Sequence, residues 1–284
     1  MAADPQKPGI ASVLLRDAGL SVAGAALFAV LFVAGARWTH ETGAVAKGPA
    51  LSAAQGQLAI LLLTFYGSLV LTGPQSLIGR MGAFAVLVGS VFAGFVAEAA
   101  IVGGHAMGTE AKFDEAVGAV RGAALAAGAV AATYALVLFA AGWLLRCLGA
   151  GRAFQYGAAV LMGMLLNLGT LLAVEPALRQ IKERPQQQLA IEWFFRLNPT
   201  AALNETAQYT AWLTDGTFYR SGGETIINIR GTGSAPTTGK PGNYPAWQGA
   251  AMAMVMVGSA LWTVAAFFGF IRNRMAKARA ARGE

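Results

Sequence analysis

Two scarcities mark this chain before anything abundant in it does. Charged residues make up 12% of its 284 positions, against about a quarter in a soluble globular domain, so its surface is solvated chiefly by lipid. Cysteine occurs once, at Cys147, and histidine twice, at His40 and His105. A single cysteine excludes an intrachain disulfide. So few soft and imidazole ligands argue against a zinc or haem site, and no cofactor is expected. Catalytic groups are equally sparse. No nucleophile, base and orienting residue stand at a telling spacing, so the chain is not read as an enzyme. The stretch GSAPTTGK has the look of a phosphate-binding loop, but five residues separate Gly233 from Gly239 and Pro241 follows Lys240. That spacing and that proline reject it. The triplet Asn204-Glu205-Thr206 matches a glycosylation acceptor, a pattern short enough to arise by chance.

Apolar residues, by contrast, make up 56% of the chain, and its mean hydropathy is +0.53. The formal charge is +7. In a soluble protein that excess would raise nucleic acid as a partner. Here the basic residues gather at the ends of apolar runs and in the C-terminal tail, which suits membrane orientation and anionic lipid, and no nucleic-acid module accompanies them.

A helix needs about 20 apolar residues to cross the hydrocarbon. The apolar runs are Leu20 to Ala36, Gln57 to Leu71, Met81 to Gly103, a fourth that starts early at Phe113 and ends at Leu145, Phe154 to Val174, and Gly249 to Ile271. The first is read as a span and not as a cleavable signal peptide. The expected fold class is therefore an all-α integral membrane protein of about six transmembrane helices. Lys7, Arg16, Arg80, Arg146, Arg152 and the five basic residues of the tail share one side if both termini lie inside. A polar segment longer than about 60 residues is exempt from the positive-inside rule, so the expected topology is N-in and C-in.

Three regions follow. Residues 1–174 hold a short N-terminal interfacial helix, with Ile10, Val13 and Leu14 at helical spacing, and spans one to five. An equal reading makes that helix a simple extension of the first span. Residues 175–248 form a long extracytoplasmic segment between helices five and six. Residues 249–284 hold the last span and a basic cytoplasmic tail. In the fourth span RGAALAAGAVAAT (Arg121 to Thr133) places small residues at nearly every position. Such a helix approaches its neighbours closely and belongs at the centre of a bundle or against another subunit.

The extracytoplasmic segment has features of its own. Ala190, Ile191, Phe194 and Phe195, with Trp193 beside them, fit an interfacial helix whose apolar face lies on the membrane. Asn198-Pro199 would break or restart it. Trp193, Phe194, Phe195, Asn198 and Pro199 are the candidate docking residues for an extracytoplasmic partner. TFYRS and TIINIR flank Gly222-Gly223-Glu224 and read as a β-hairpin. Within the spans, Glu98 is the one carboxylate well inside an apolar run, a costly placement. It is either an inward-facing polar, proton or substrate contact, or a group near the outer end that reaches water. Asn167, with Gln155, is the weaker intramembrane polar candidate of the fifth span.

The layout resembles the permease subunit of an ABC-2-type exporter. The likeness rests on the segment Ile10 to Leu14 before the first span and the six-span, both-ends-inside plan. It rests also on the basic turn followed by RAFQYGAAVLMGMLLNLGTLL (Arg152 to Leu172), and on an external helical segment with LNPTAAL (Leu197 to Leu203) before the last span. The resemblance implies a homodimer in a bacterial cytoplasmic (inner) membrane, bound to a separate cytoplasmic ATPase, with Arg80, Arg146 and Arg152 as candidate coupling residues. The family's inner loop between spans two and three is usually longer than Gly73 to Arg80 here, a departure that bears on coupling. The alternative is a non-catalytic subunit of a larger membrane assembly, packed against other integral subunits, with residues 175–248 docking a partner. A secondary transporter would need internal repeats and broken midplane helices, and no repeat is evident.

Overall fold

The computed structural model describes residues 19, 22–24, 26–32, 34, 49–74, 76–106, 113–206 and 246–282, with the backbone alone for 49–55, 95–106, 113–124, 205, 206, 246 and 280. All secondary structure among the described residues is helical. In order, these are α1 (Val22–Phe32), α2 (Pro49–Leu62), a π-helical turn (Leu63–Gly67), α3 (Ser68–Thr72), α4 (Leu77–Ala106) and α5 (Phe113–Cys147). There follow α6 (Arg152–Met164), a second π-helical turn (Leu165–Gly169), α7 (Thr170–Gln180), α8 (Arg184–Leu197) and α9 (Pro199–Thr206). The last element is α10, Ala246–Arg282. Each π turn joins its two flanking helices into one rod, α2–α3 and α6–α7.

Four stretches are long and apolar enough to cross a membrane, Leu77–Gly94, Leu125–Cys147, Arg152–Gln180 and Trp247–Arg279. These spans mark an integral membrane protein, helical in all the secondary structure of its described residues. The other two expected runs correspond to shorter apolar helices, Val22–Phe32 and Gly56–Thr72.

The Ala/Gly-rich helix takes the central place. Of its apolar window 67% is buried, against 17–28% for the other three, and α10, α4, α6, α2, α3 and α9 all pack on it. Its inward residues Val130, Tyr134, Val137 and Leu138 meet Leu63, Leu87, Leu203 and Met254 in the main core. Small side chains on α5 let these neighbours come close enough for dispersion to hold them, since lipid offers no hydrophobic drive between helices. Its C-terminus closes with Gly149 at φ 89, where Gly149 N donates to Arg146 O (2.9 Å) and Ala150 N to Leu145 O (2.9 Å). That pair of bonds is a Schellman ending, which a Cβ at a left-handed φ would strain.

The boundaries of the polar segment differ from expectation. The fifth helix does not stop at Val174 but runs through Glu175 and Pro176 to Gln180. Leu178 on its last turn is buried, and Arg179 pairs with Glu175 one turn back at 2.5 Å. Buried area and an i,i+4 pair outweigh one lost backbone bond. The basic tail likewise continues α10 as helix to Arg282, because Ala, Lys and Arg are strong helix formers.

The apolar face of α8 also lies elsewhere than expected. Ile191, Phe194 and Phe195 are buried with Leu171, Val174 and Leu178 of α7 and with Ala201 in a second core cluster. Gln187 Nε2 closes the α7–α8 turn by donating to Leu178 O (3.1 Å) and Ile181 O (2.8 Å). That face packs on the protein, not on the membrane surface. Apolar helical periodicity marks a face to be covered and does not name the cover. The expected β-hairpin, the loop before α10 and the Ile10–Leu14 helix lie outside the described residues.

Phe194→Ala should therefore loosen α8 from α7, at a cost of about 3 kcal/mol, the low end for a buried aromatic truncation. Hydrogen exchange of residues 184–197 in detergent should accelerate. Unchanged protection would mean that the face rests on lipid after all.

Candidate functional site

Polar groups inside the bundle collect at the two π-helical turns. A π turn widens the helix and loosens its i−4 ladder. Side chains on these turns bond carbonyls one turn back, as Ser and Thr also do in the regular helices of the bundle. Thr64 Oγ1 donates to Ile60 O at 2.7 Å, Asn167 Nδ2 to Gly163 O at 2.8 Å, and Thr170 Oγ1 to Leu166 O at 2.7 Å. In hydrocarbon a polar side chain needs a partner as much as the backbone does, and these carbonyls supply one.

Tyr134 of α5 ties the two turns together. Its hydroxyl lies 2.6 Å from Thr64 Oγ1 and accepts from Asn167 Nδ2 at 3.0 Å. Because the Thr64 hydrogen already points at Ile60 O, the tyrosine donates to Thr64. Gly163 permits this approach, since a Cβ there would stand 2.5 Å from the Tyr134 hydroxyl and 2.9 Å from Thr64 Cγ2.

The Asn198-Pro199 link adds the third side. Asn198 precedes α9 and accepts from Ala201 N at 2.8 Å through Oδ1, an N-cap with proline at the first helical position. Its Nδ2 donates to Asn167 O (2.8 Å) and to Thr170 Oγ1 (3.0 Å). One residue on, Thr200 Oγ1 donates to Asn167 Oδ1 at 2.8 Å. A turn later Asn204 Oδ1 accepts from Gln57 Nε2 at 3.1 Å. The Leu-Asn-Pro-Thr stretch is thus a staple between α9 and the second π turn.

Between α2 and the α6–α7 rod this network floors a cleft of about 230 Å³, lined by Gln57, Ile60, Leu61, Thr64, Phe65, Gly163, Met164, Asn167, Leu168 and Thr200. Leu61, Phe65, Met164 and Leu168 are exposed at its mouth. Among the described residues no ionisable side chain lines it. The cleft can hold a small group by directed hydrogen bonds and apolar contact, without charge.

A second polar assembly closes one end of the bundle. Arg80 is fully buried and donates to Pro74 O (2.8 Å), Thr72 O (3.3 Å) and Gln155 Oε1 (2.5 Å). Its guanidinium and that of Arg146 each lie 5.5 Å from the Trp143 ring centroid. Trp143 continues into a row with Trp262 (6.0 Å), Phe139 (5.4 Å) and Phe84 (5.8 Å) that joins α5, α10 and α4. Arg272 of α10 donates to Arg146 O at 3.3 Å.

The residues expected from sequence sort accordingly. Asn167 sits at the centre of the cleft network. Arg146 is half-buried and Arg152 exposed at the basic end, while Arg80 is withdrawn into a turn-closing role. Of the docking residues, Trp193 is exposed, but Phe194, Phe195, Asn198 and Pro199 are buried within the chain. Buried side chains holding α8 and α9 in place present no surface to a partner. Asn204 is buried as well, so its triplet offers no site for a glycan. Glu98 lies on α4, and its side chain is outside the described residues.

Tyr134, Thr64 and Thr200 were not singled out from sequence. Their one signal was a polar atom within an apolar helical run. Among the described residues no three His, Cys, Asp or Glu side chains group as metal ligands. Comparisons of the chain with family models, with curated proteins and with solved structures give no match.

Gly163→Ala should break the floor of the cleft. The new methyl would meet buried partners that cannot yield, an overpacking cost of about 1–3 kcal/mol, read as a lower melting temperature in detergent. Gly157→Ala on the same helix, where a Cβ meets nothing within 4 Å, should leave that temperature unchanged or raise it.

Proposed function

We propose that this chain is the membrane-spanning permease subunit of an ATP-driven exporter of ABC-2-like kind, acting as a homodimer with a separate cytoplasmic ATPase. The observation that carries this reading is the helical pair α8–α9, set between the fifth and last apolar helices and folded back onto the bundle. It answers to the external helical segment that the resemblance called for at LNPTAAL. Through Asn198 and Thr200 that pair is bonded to the π turn at Asn167, so a displacement of α8–α9 reshapes the cleft. An external element coupled to an intramembrane cleft suits alternating exposure of a cargo.

In this reading α1 and α2–α3 complete six spans, the shorter two tilting little or thinning the bilayer. The end bearing Arg146, Arg152, Arg272, Arg274 and Lys277 faces the cytoplasm of a bacterial inner membrane, following the positive-inside rule. Arg152 and the C-terminal turns of α10 offer exposed cations to an ATPase.

A second reading, a non-catalytic subunit of a larger membrane assembly, is favoured by one specific observation. The link between α3 and α4 spans only residues 73–76, and Arg80 is folded against it, so it provides no projecting inner loop for an ATPase to grip.

Purification from the native membrane in mild detergent separates the two. The exporter reading expects a nucleotide-binding subunit in stoichiometric amount, and Arg152→Glu should cut nucleotide-stimulated transport several-fold without lowering the yield of folded protein. Recovery with several integral proteins and no ATPase would overturn it in favour of the assembly reading.

A further inference from the structure

The cleft at the two π turns carries more information than its shape, because its hydrogen atoms can be counted. Thr64 spends its single hydroxyl hydrogen on Ile60 O. Tyr134 then donates to Thr64. Asn167 Nδ2 uses one hydrogen on Gly163 O and the other on Tyr134. The carbonyl of Gly163 can only accept, which fixes the orientation of the Asn167 amide. Thr200 spends its hydrogen on Asn167 Oδ1. The hydroxyl and amide hydrogens of Thr64, Tyr134, Asn167 and Thr200 are therefore all committed within the protein, while Gln57 at the mouth keeps one amide hydrogen beyond its bond to Asn204. What is left over on the floor is acceptor capacity, on Thr64 Oγ1, Asn167 Oδ1 and Thr200 Oγ1.

The walls set two further conditions. Among the described residues no cationic or anionic side chain lines the cleft, so these walls offer a phosphate or ammonium head no partner for its desolvated charge. The mouth is framed by exposed Leu61, Phe65, Met164 and Leu168, on rods whose outward faces are apolar. An occupant therefore arrives from the lipid phase. The volume of about 230 Å³ equals about eight waters at ~30 Å³ each, room for a small head and the first carbons of a chain, with the remainder left in the bilayer.

We propose that this cleft binds an uncharged membrane lipid by accepting the hydrogen of that lipid's hydroxyl group, with its chain leaving between Phe65 and Leu168. The assignment goes beyond the exporter reading and stands without it, since a resident lipid and a cargo would be recognised by the same acceptors. Gln57, exposed at the mouth, can both donate and accept, so it can meet a second oxygen of an ester such as that of a diacylglycerol.

The test uses the full chain in nanodiscs, without any ATPase, so that its failure leaves the transport reading untouched. The probes are a diacylglycerol with a diazirine beside its ester, the same lipid with its hydroxyl methylated, and phosphatidylcholine bearing the same diazirine. Photolabelling is mapped by peptide mass spectrometry. The expected result is labelling at residues 57–65 and 163–168, with the free hydroxyl favoured by about fivefold over its methyl ether, the worth of one neutral hydrogen bond. Thr200→Val should lose about the same factor. Leu168→Trp, a substitution at an exposed mouth position that fills the opening, should abolish labelling with an unchanged melting temperature, and it decides the matter if Thr200→Val fails to fold. Equal labelling by the methyl ether or by phosphatidylcholine would overturn the proposal, as would labelling that persists in L168W.

Discussion

The side chain of Asn167 is the joint on which this bundle depends. In hydrocarbon every backbone polar group must be answered within the protein, and a rod interrupted by a π turn has carbonyls to answer. Asn167 gives one amide hydrogen to Gly163 O and the other to Tyr134, accepts from Thr200 with its side-chain oxygen, and through its backbone carbonyl receives Asn198. Three elements that are far apart in sequence thereby share one residue. The irregular turn, the helix pair that folds back and the tyrosine of the central helix are parts of a single solution. Tyr134 and Thr200 both bond the Asn167 side chain, so each has its polar partner on the second π turn.

The basic end of the bundle meets a similar need by other means. A turn of four residues between α3 and α4 leaves the carbonyls of Thr72 and Pro74 exposed to an interior, and the guanidinium of Arg80 is drawn in to meet them. A charge so buried gains from the faces of aromatic rings, and Trp143 supplies one. The row from Trp143 through Trp262 and Phe139 to Phe84 then locks α10, α5 and α4 at that level. The two sites differ in kind. One is neutral and opens sideways, and the other is cationic and closed.

Much of this fold was legible in the sequence because the bilayer sets a length scale. Runs of apolar residues located the long helices, and the Ala/Gly-rich run identified the central one. Their ends were less legible. Glu175 and Pro176 look like the start of a polar segment, but a buried Leu178 one turn later keeps the helix going, and burial cannot be read from local charge. Phe194 and Phe195 announced an apolar face without announcing that α7 would cover it. Arg80 read as an exposed inner contact because sequence gives charge but not the carbonyls awaiting it. Asn167 was legible as a polar residue in a span. Its partners were not, since a π turn has no compositional signature and Tyr134 and Thr64 pass as ordinary core residues.

The length of α10 sets a mechanical relation among these parts. Its 37 residues at about 1.5 Å each make a rod of about 55 Å, nearly twice the ~30 Å of bilayer hydrocarbon. Roughly 25 Å of it must stand in headgroups and water, and its last three turns bear Arg272, Arg274, Lys277, Arg279 and Arg282. The same rod packs along α5 and, near its start, against α8 and α9. The helix that carries the cationic tip is thus the same one that packs on the helices beside the cleft. One continuous helix spans the distance between a cationic tip and the helix pair α8–α9 that is bonded to the cleft.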